Sequence, residues 1–281
     1  MPPSPRLRRV AVVAGITAVA ALSGALGLYS WQQQRLPTEL QTLQAVVERL
    51  SRGNDLGSQP ISFMVSSGSY SAQLAEQRGL CKPDQCEMFA QLNPYHQYGN
   101  SWDELIRQGY ALGDIQGWST SSGTVILPRA SFRAYGPHLG YLSCTVAHEI
   151  AHFRRHHVFQ QSYQDSHKLA GLPEANARRA SMAHSQQLEL EADREAANML
   201  ARAGYRGRVC LQDLEFMYHS IGDGSKTDPD STHPGYEERL AAMAAHYASL
   251  ERKPPRPQTS RRMSFSYNAV DNLFTMTPKL R

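Results

Sequence analysis

No acidic residue precedes Glu39. Charge at the start of the chain is therefore of one sign: Arg6, Arg8 and Arg9 stand ahead of an uncharged, largely apolar run from Val10 to Trp31. A run of roughly 20 residues is long enough to cross a bilayer as a helix. The arginines would stay on the cytoplasmic side and place everything after Trp31 outside, with Tyr29 and Trp31 in the interfacial belt. A cleaved signal peptide is an alternative, because Ser23, Gly24, Ala25 and Gly27 are small enough for a cleavage site, and a basic, acid-free organelle presequence is another. No cysteine closely follows the apolar run, which argues against a lipid-anchored lipoprotein. The expected location is the outer side of a membrane, periplasmic in a bacterium. The alternatives are release into the periplasm after signal cleavage, and the mitochondrial inner membrane.

Long basic runs interleaved with aromatics are also missing, and the net charge is only +4, so nucleic acid is not an expected partner. A mean hydropathy of -0.48 excludes a chain made mostly of membrane spans. No internal repeat is visible. At 281 residues, with 41% hydrophobic and 19% charged side chains, the composition is that of an ordinary globular protein. Cysteine is scarce, at four residues. Cys81 and Cys86 are close in sequence but Cys144 and Cys210 form no second close pair, which argues against a cysteine zinc site. Cys81 and Cys86 flank a turn-like Lys82-Pro83-Asp84-Gln85, so a disulfide there and a second between Cys144 and Cys210 are one reading. Four free thiols are the other.

Apolar spacing predicts an amphipathic helix over Leu36–Arg52, followed by a Gly- and Pro-containing linker to residue 60. Strands are expected at Ile61–Val65 and, bounded by Gly123 and Pro128 and suited to a sheet edge, at Thr124–Leu127. Short helices are expected over Ser69–Gly79 and Ser101–Tyr110. Tyr141–Gln160 reads as one long helix, Gln161–Ala177 as a polar loop, and Ser181–Ala203 as a second long helix stopped by Gly204. A third helix spans Cys210–Ser220. A loop rich in Gly and Asp follows, then a last helix over Pro234–Arg252 with proline in its first turn. The tail from 253 to 281 is basic and Pro-containing, with Lys253, Arg256, Arg261, Arg262, Lys279 and Arg281. It reads as a solvated, partly disordered extension, or else as a contact for anionic lipid.

The chemistry centres on His148-Glu149-Ile150-Ala151-His152. Residues four apart on a helix lie on one face, so both imidazoles can reach one metal ion while Glu149 reaches a water on it. Leu142, Val146, Ile150 and Phe153 give this helix apolar faces, against the alternative of an exposed His–Glu pair on a charged helix. A tetrahedral catalytic zinc needs a third protein ligand. No third histidine follows at the short spacing that would supply it. The second long helix carries Glu189 and Asp193, again four apart. Glu189 can be the ligand while Asp193 accepts a hydrogen bond from the free ring nitrogen of a ligating histidine. Glu191 points about 200° away from Glu189. His156 would share the ligand face but about 6 Å further along, and both it and His157 read as surface residues.

These residues, with their flanks Val146-Ala147 and Glu191-Ala192-Asp193-Arg194, and a later Ser231-Thr232-His233-Pro234 followed by Glu237-Glu238-Arg239-Leu240, resemble three motifs of one family. It comprises the gluzincin peptidases that include the CaaX prenyl protease and the bacterial heat-shock peptidase HtpX. The likeness covers roughly Thr120 to Arg252. It implies zinc, one ion per chain, held by His148, His152 and Glu189, with proteolysis as the activity. It also implies an active-site role for His233 and a site-supporting role for Arg239. Many relatives have several spans and this chain one at most, so it groups with the soluble-domain members.

The expected fold is α+β: a mostly helical zincin-like domain, 61–252, with a small sheet beside the zinc helix. An N-terminal anchor or signal (1–35), the helix and linker (36–60) and the tail (253–281) flank it. The expected function is that of a metalloendopeptidase cutting unfolded or misassembled proteins, with Glu149 activating water. A zinc-binding chaperone or adaptor with little turnover is the alternative.

Overall fold

The computed structural model describes residues 36–221, 224–259 and 261–279. The apolar N-terminal segment expected to be an anchor or signal lies outside them. Among the described residues, no helix is long and apolar enough to cross a membrane. Contacts divide the chain into Met1–Gln41 and Thr42–Arg281. Of the first unit only 36–41 are described, and they contain the start of helix α1 (Thr38–Gly53).

The second unit is α+β, as expected. Its helices are the rest of α1, α2 (Ser69–Gln77), α3 (Glu87–Ala90), α4 (Ser101–Leu112), α5 (Arg129–Tyr135), α6 (Leu139–Arg154), α7 (His157–Tyr163), α8 (Glu174–Arg202), α9 (Val209–Ile221) and α10 (Tyr236–Arg252). Strands β1 (Ile61–Ser66), β2 (Trp118–Ser119), β3 (Thr124–Pro128), β4 (Met263–Asn268) and β5 (Leu273–Pro278) form one sheet in the order β2-β3-β1-β5-β4. Only β1 and β3 are parallel. Alternation in β1 sends Ile61, Phe63 and Val65 into the core at 1% exposure or less. Helix α6, which carries His148 and His152, packs on β2 and β3 and on α8 and α9.

Residues 42–60 and 253–281, set apart in the sequence reading, belong to this same unit. Leu43, Val46, Val47 and Leu50 of α1 are buried. Asn54 Nδ2 donates to the Met199 carbonyl at 2.9 Å, and the Arg49 guanidinium lies 3.5 Å above the Tyr205 ring.

Four expectations are corrected. First, β3 is not an edge strand. The two-residue β2 covers it, and so short a strand leaves no periodicity to read in the turn-rich stretch before Thr124. Second, the helix expected over Tyr141–Gln160 breaks after Arg154. His156 takes the left-handed conformation at φ 58°, uncommon for a residue other than glycine, and the chain turns into α7. Third, the polar stretch after Gln160 completes α7 and a π turn at Gln164–Lys168, and α8 begins at Glu174, directly after Pro173. Alanine and arginine in 175–180 are good helix formers whatever their polarity. Fourth, most of the tail is ordered. Met263-Ser-Phe-Ser-Tyr-Asn and Leu273-Phe-Thr-Met-Thr-Pro form a hairpin whose β5 pairs with β1 and buries Phe274 and Met276 at 1% exposure each.

Candidate metal centre

Helix α6 is buried along Val146, Ala147, Ile150 and Ala151, all at 0% exposure, and α8 along Ala192, Ala196 and Ala197. Small side chains on both helices let the backbones approach, since interaxial distance follows the contact residues. That approach brings His148 and His152 opposite Glu189. His148 Nε2 lies 3.2 Å from Glu189 Oε2, His152 Nε2 3.4 Å from Glu189 Oε1, and the two Nε2 atoms 3.0 Å from each other. The three side chains form a group that could hold a metal ion, with one ligand atom from each within 4.8 Å of the others. Ligands about 2.0–2.2 Å from a tetrahedral ion stand roughly 3.3–3.6 Å apart. The observed separations, 3.0–3.4 Å, are at or somewhat below that range, so the three side chains need move apart only slightly to take an ion. Glu189 Oε2 is buried and, beyond its 3.2 Å approach to His148 Nε2, has no hydrogen-bond partner among the described residues. The donor set therefore fits a divalent cation.

Each imidazole is oriented from behind. His148 Nδ1 lies 3.0 Å from Asp193 Oδ1, and since a carboxylate can only accept, Nδ1–H donates and leaves Nε2 free. Arg239 in turn grips Asp193 with two bonds, Nε to Oδ2 at 2.8 Å and an Nη to Oδ1 at 2.7 Å. Burial would raise the Asp193 carboxyl, but Arg239 overrides it and holds Asp193 well below the usual carboxylate range. Burial would likewise lower His148, yet its bonds to Asp193 and Glu189 raise it to about 10.

His152 is held differently. Its Nδ1 lies 3.1 Å from Nδ1 of His157. For His152 Nε2 to present a lone pair inward, its Nδ1–H must donate and His157 Nδ1 accept. His157 is thus not the surface residue the sequence suggested: it is 2% exposed. A continuous helix would have carried it away from His152; the left-handed turn at His156 folds it back. Its Nε2 lies 3.8 Å from Glu191 Oε2, so Glu191, which faces away from the metal as expected, still touches the site's outer layer. His156 is exposed, as read from the sequence.

Glu149 sits beside the two histidines, 6% exposed, and accepts a hydrogen bond from Ser119 in β2. Burial pushes its carboxyl up, against the pull of His148 and His152. A side chain at Gly117 would stand 3.2 Å from Glu149 Oε1, so glycine is what lets this backbone lie against the carboxylate. His233, on the loop before α10, reaches to 3.6 Å from Glu189 Oε2. All seven side chains expected at the site, His148, Glu149, His152, Glu189, Asp193, His233 and Arg239, therefore converge. All but His152 line one cavity of about 650 Å³, and a second of about 390 Å³ reaches His152 and Glu189 from the side of His157 and Gln161. Sequence reasoning missed His157, Ser119 and Gly117. Of the two readings of the cysteines, the structure bears out the disulfides: Cys81–Cys86, and Cys144–Cys210, which ties α6 to α9.

No family model, curated protein or solved structure matches this chain.

Proposed function

We propose that this protein is a zinc-dependent metalloendopeptidase. The observation that carries the reading is the convergence of His148, His152 and Glu189 on one point, with the buried Glu149 facing the same cavity. Two imidazoles and one carboxylate make a zinc set that leaves a coordination position open, as a catalytic rather than a structural site requires. The motif resemblance to the gluzincin peptidases points the same way. Bound there, the ion would polarise the scissile carbonyl and lower the pKa of the attacking water towards about 7.

Glu149 would take a proton from the attacking water and pass it to the leaving amine. A carboxyl raised by burial is suited to this exchange near neutral pH. His233 stands where it can donate to the charge developing on the carbonyl oxygen. Asp193, clamped by Arg239, keeps His148 in the ligating tautomer. An extended peptide could add along β2, the sheet edge beside Glu149, since main-chain pairing to an edge strand gives affinity without sequence preference. Two disulfides suit an oxidising compartment, which supports protein substrates on the outer side of a membrane.

The test is Glu149→Gln in the zinc-loaded chain, assayed on an unfolded protein such as casein. The variant should keep one zinc per chain and lose at least about 100-fold in cleavage, the low end for a missing general base. Undiminished cleavage by the variant refutes the assignment. Zinc binding with no cleavage even by the native chain would favour a binding protein instead.

A further inference from the structure

Asp213 has no part in that chemistry, yet it lines the same cavity as His148 and Glu149. It is 1% exposed, deeper than Glu149 at 6%. Its Oδ1 finds no hydrogen-bond partner among the described residues. The Tyr135 hydroxyl bonds to Asp213 and lies 2.6 Å from Thr145 Oγ1, so three polar groups gather at this end of the cavity. Thr145 is on α6, one turn ahead of Glu149. Arg239, a neighbouring cation, is already committed to Asp193 by two short bonds. Apolar Ile115, Leu214 and Met217 line the same cavity, Leu214 and Met217 on the helix that carries Asp213, and Lys226 lines it too.

A cavity with apolar wall residues and an incompletely bonded acid is one that a long basic side chain can fill, with its methylene stem against the apolar residues and its charge at the acid. A buried carboxyl left without a full set of partners is costly, and a cation within bonding distance offsets that cost. We propose that this end of the cavity is a subsite for a lysine or arginine side chain of the substrate, next to the bond cut, with Asp213 as its counter-ion. This rests on the peptidase reading above for its location and adds the substrate class. Burial pushes the Asp213 carboxyl up to about 8, with Tyr135 and Arg239 pulling the other way. An incoming ammonium or guanidinium shifts it back to the charged form. Asn or Gln side chains are the competing occupants, since a protonated carboxyl can also bond to an amide.

The experiment uses the full, zinc-loaded chain carrying Glu149→Gln, so that binding is read without turnover. Calorimetry compares matched peptides that differ at one position: lysine, glutamine or norleucine. The lysine peptide should bind about 30-fold or more tightly than the norleucine one, the low end for a desolvated charge pair. Adding Asp213→Asn should collapse that ratio towards one. Equal binding of lysine and norleucine peptides overturns the subsite whatever the variant does, so the result stands even if Asp213→Asn folds poorly. Preference for glutamine also overturns it. Cleavage mapping with the native chain separates the two claims. Cutting without basic residues beside the cut sites sinks the subsite alone. Lysine-selective binding with no cutting supports the subsite and sinks the peptidase reading.

Discussion

His157 reaches the candidate ligand set through His152, whose Nδ1 lies 3.1 Å from its own Nδ1. His157→Phe keeps a ring of similar size and removes the acceptor. Zinc affinity should fall by about 10–100-fold, the usual loss when the partner of a ligating histidine goes. His157→Gln, whose side-chain oxygen can accept, should recover much of it. Competition against a chelating dye gives both values, and unchanged affinity in the Phe variant would reduce His157 to packing. Asp213 makes a prediction of opposite flavour, about acidity. Its pKa is raised from 3.8 to about 8 on folding. A raised folded value means that the group's stabilisation is complete below about 4 and is lost as pH rises through 8, because the unfolded chain ionises first. Metal-free Asp213→Asn should therefore gain stability relative to the native chain between pH 5 and pH 8, read as a growing difference in Tm. A constant difference across that range would mean that Asp213 is already ionised when buried.

At the scale of elements, α6 is held by a staple as well as by packing. Cys144–Cys210 closes a loop of 66 residues between α6 and α9, a closure whose chain-entropy contribution is roughly 4 kcal/mol. A Cys144→Ser, Cys210→Ser chain should lose stability of that order in urea unfolding, well beyond the roughly 2 kcal/mol expected for the five-residue Cys81–Cys86 loop. Helices of this kind were legible in the sequence because their signals are local. His148 and His152, or Glu189 and Asp193, announce themselves at a spacing of four on one helix face. The break between α6 and α7 was not legible, because it depends on one histidine adopting a left-handed turn that its neighbours do not encode. Neither was β2, too short to show a period. The Asp213 end of the cavity joins α5, α6 and α9, and no local pattern reports on a meeting of three helices. The alternation in 263–268 and 273–278 was present, but proline and arginine nearby drew the reading towards disorder.

At the scale of the whole molecule, that hairpin joins the end of the chain to β1 near its start. Phe274 stacks on Phe265 at 5.7 Å between ring centroids and leans on Phe63 of β1 at 6.3 Å. Phe274→Ala should cost about 3–5 kcal/mol, a large share of the roughly 5–15 kcal/mol that holds a typical domain together. Denaturant unfolding checks it, and a loss under about 1 kcal/mol would show that the hairpin is an ornament on a sheet complete without it. Asn272 fastens the same turn to β1, its Nδ2 donating to the Val65 carbonyl at 2.6 Å across 207 residues of sequence. That span has a meaning in time. At about 5–20 residues per second of synthesis, β1 waits about 10–40 seconds for the neighbour that covers it. Helix α6, with His148 and His152, is made in the middle of that wait, before its supporting sheet can close. A nascent chain thus carries every residue of the candidate metal site before it carries the two strands that complete the sheet behind it.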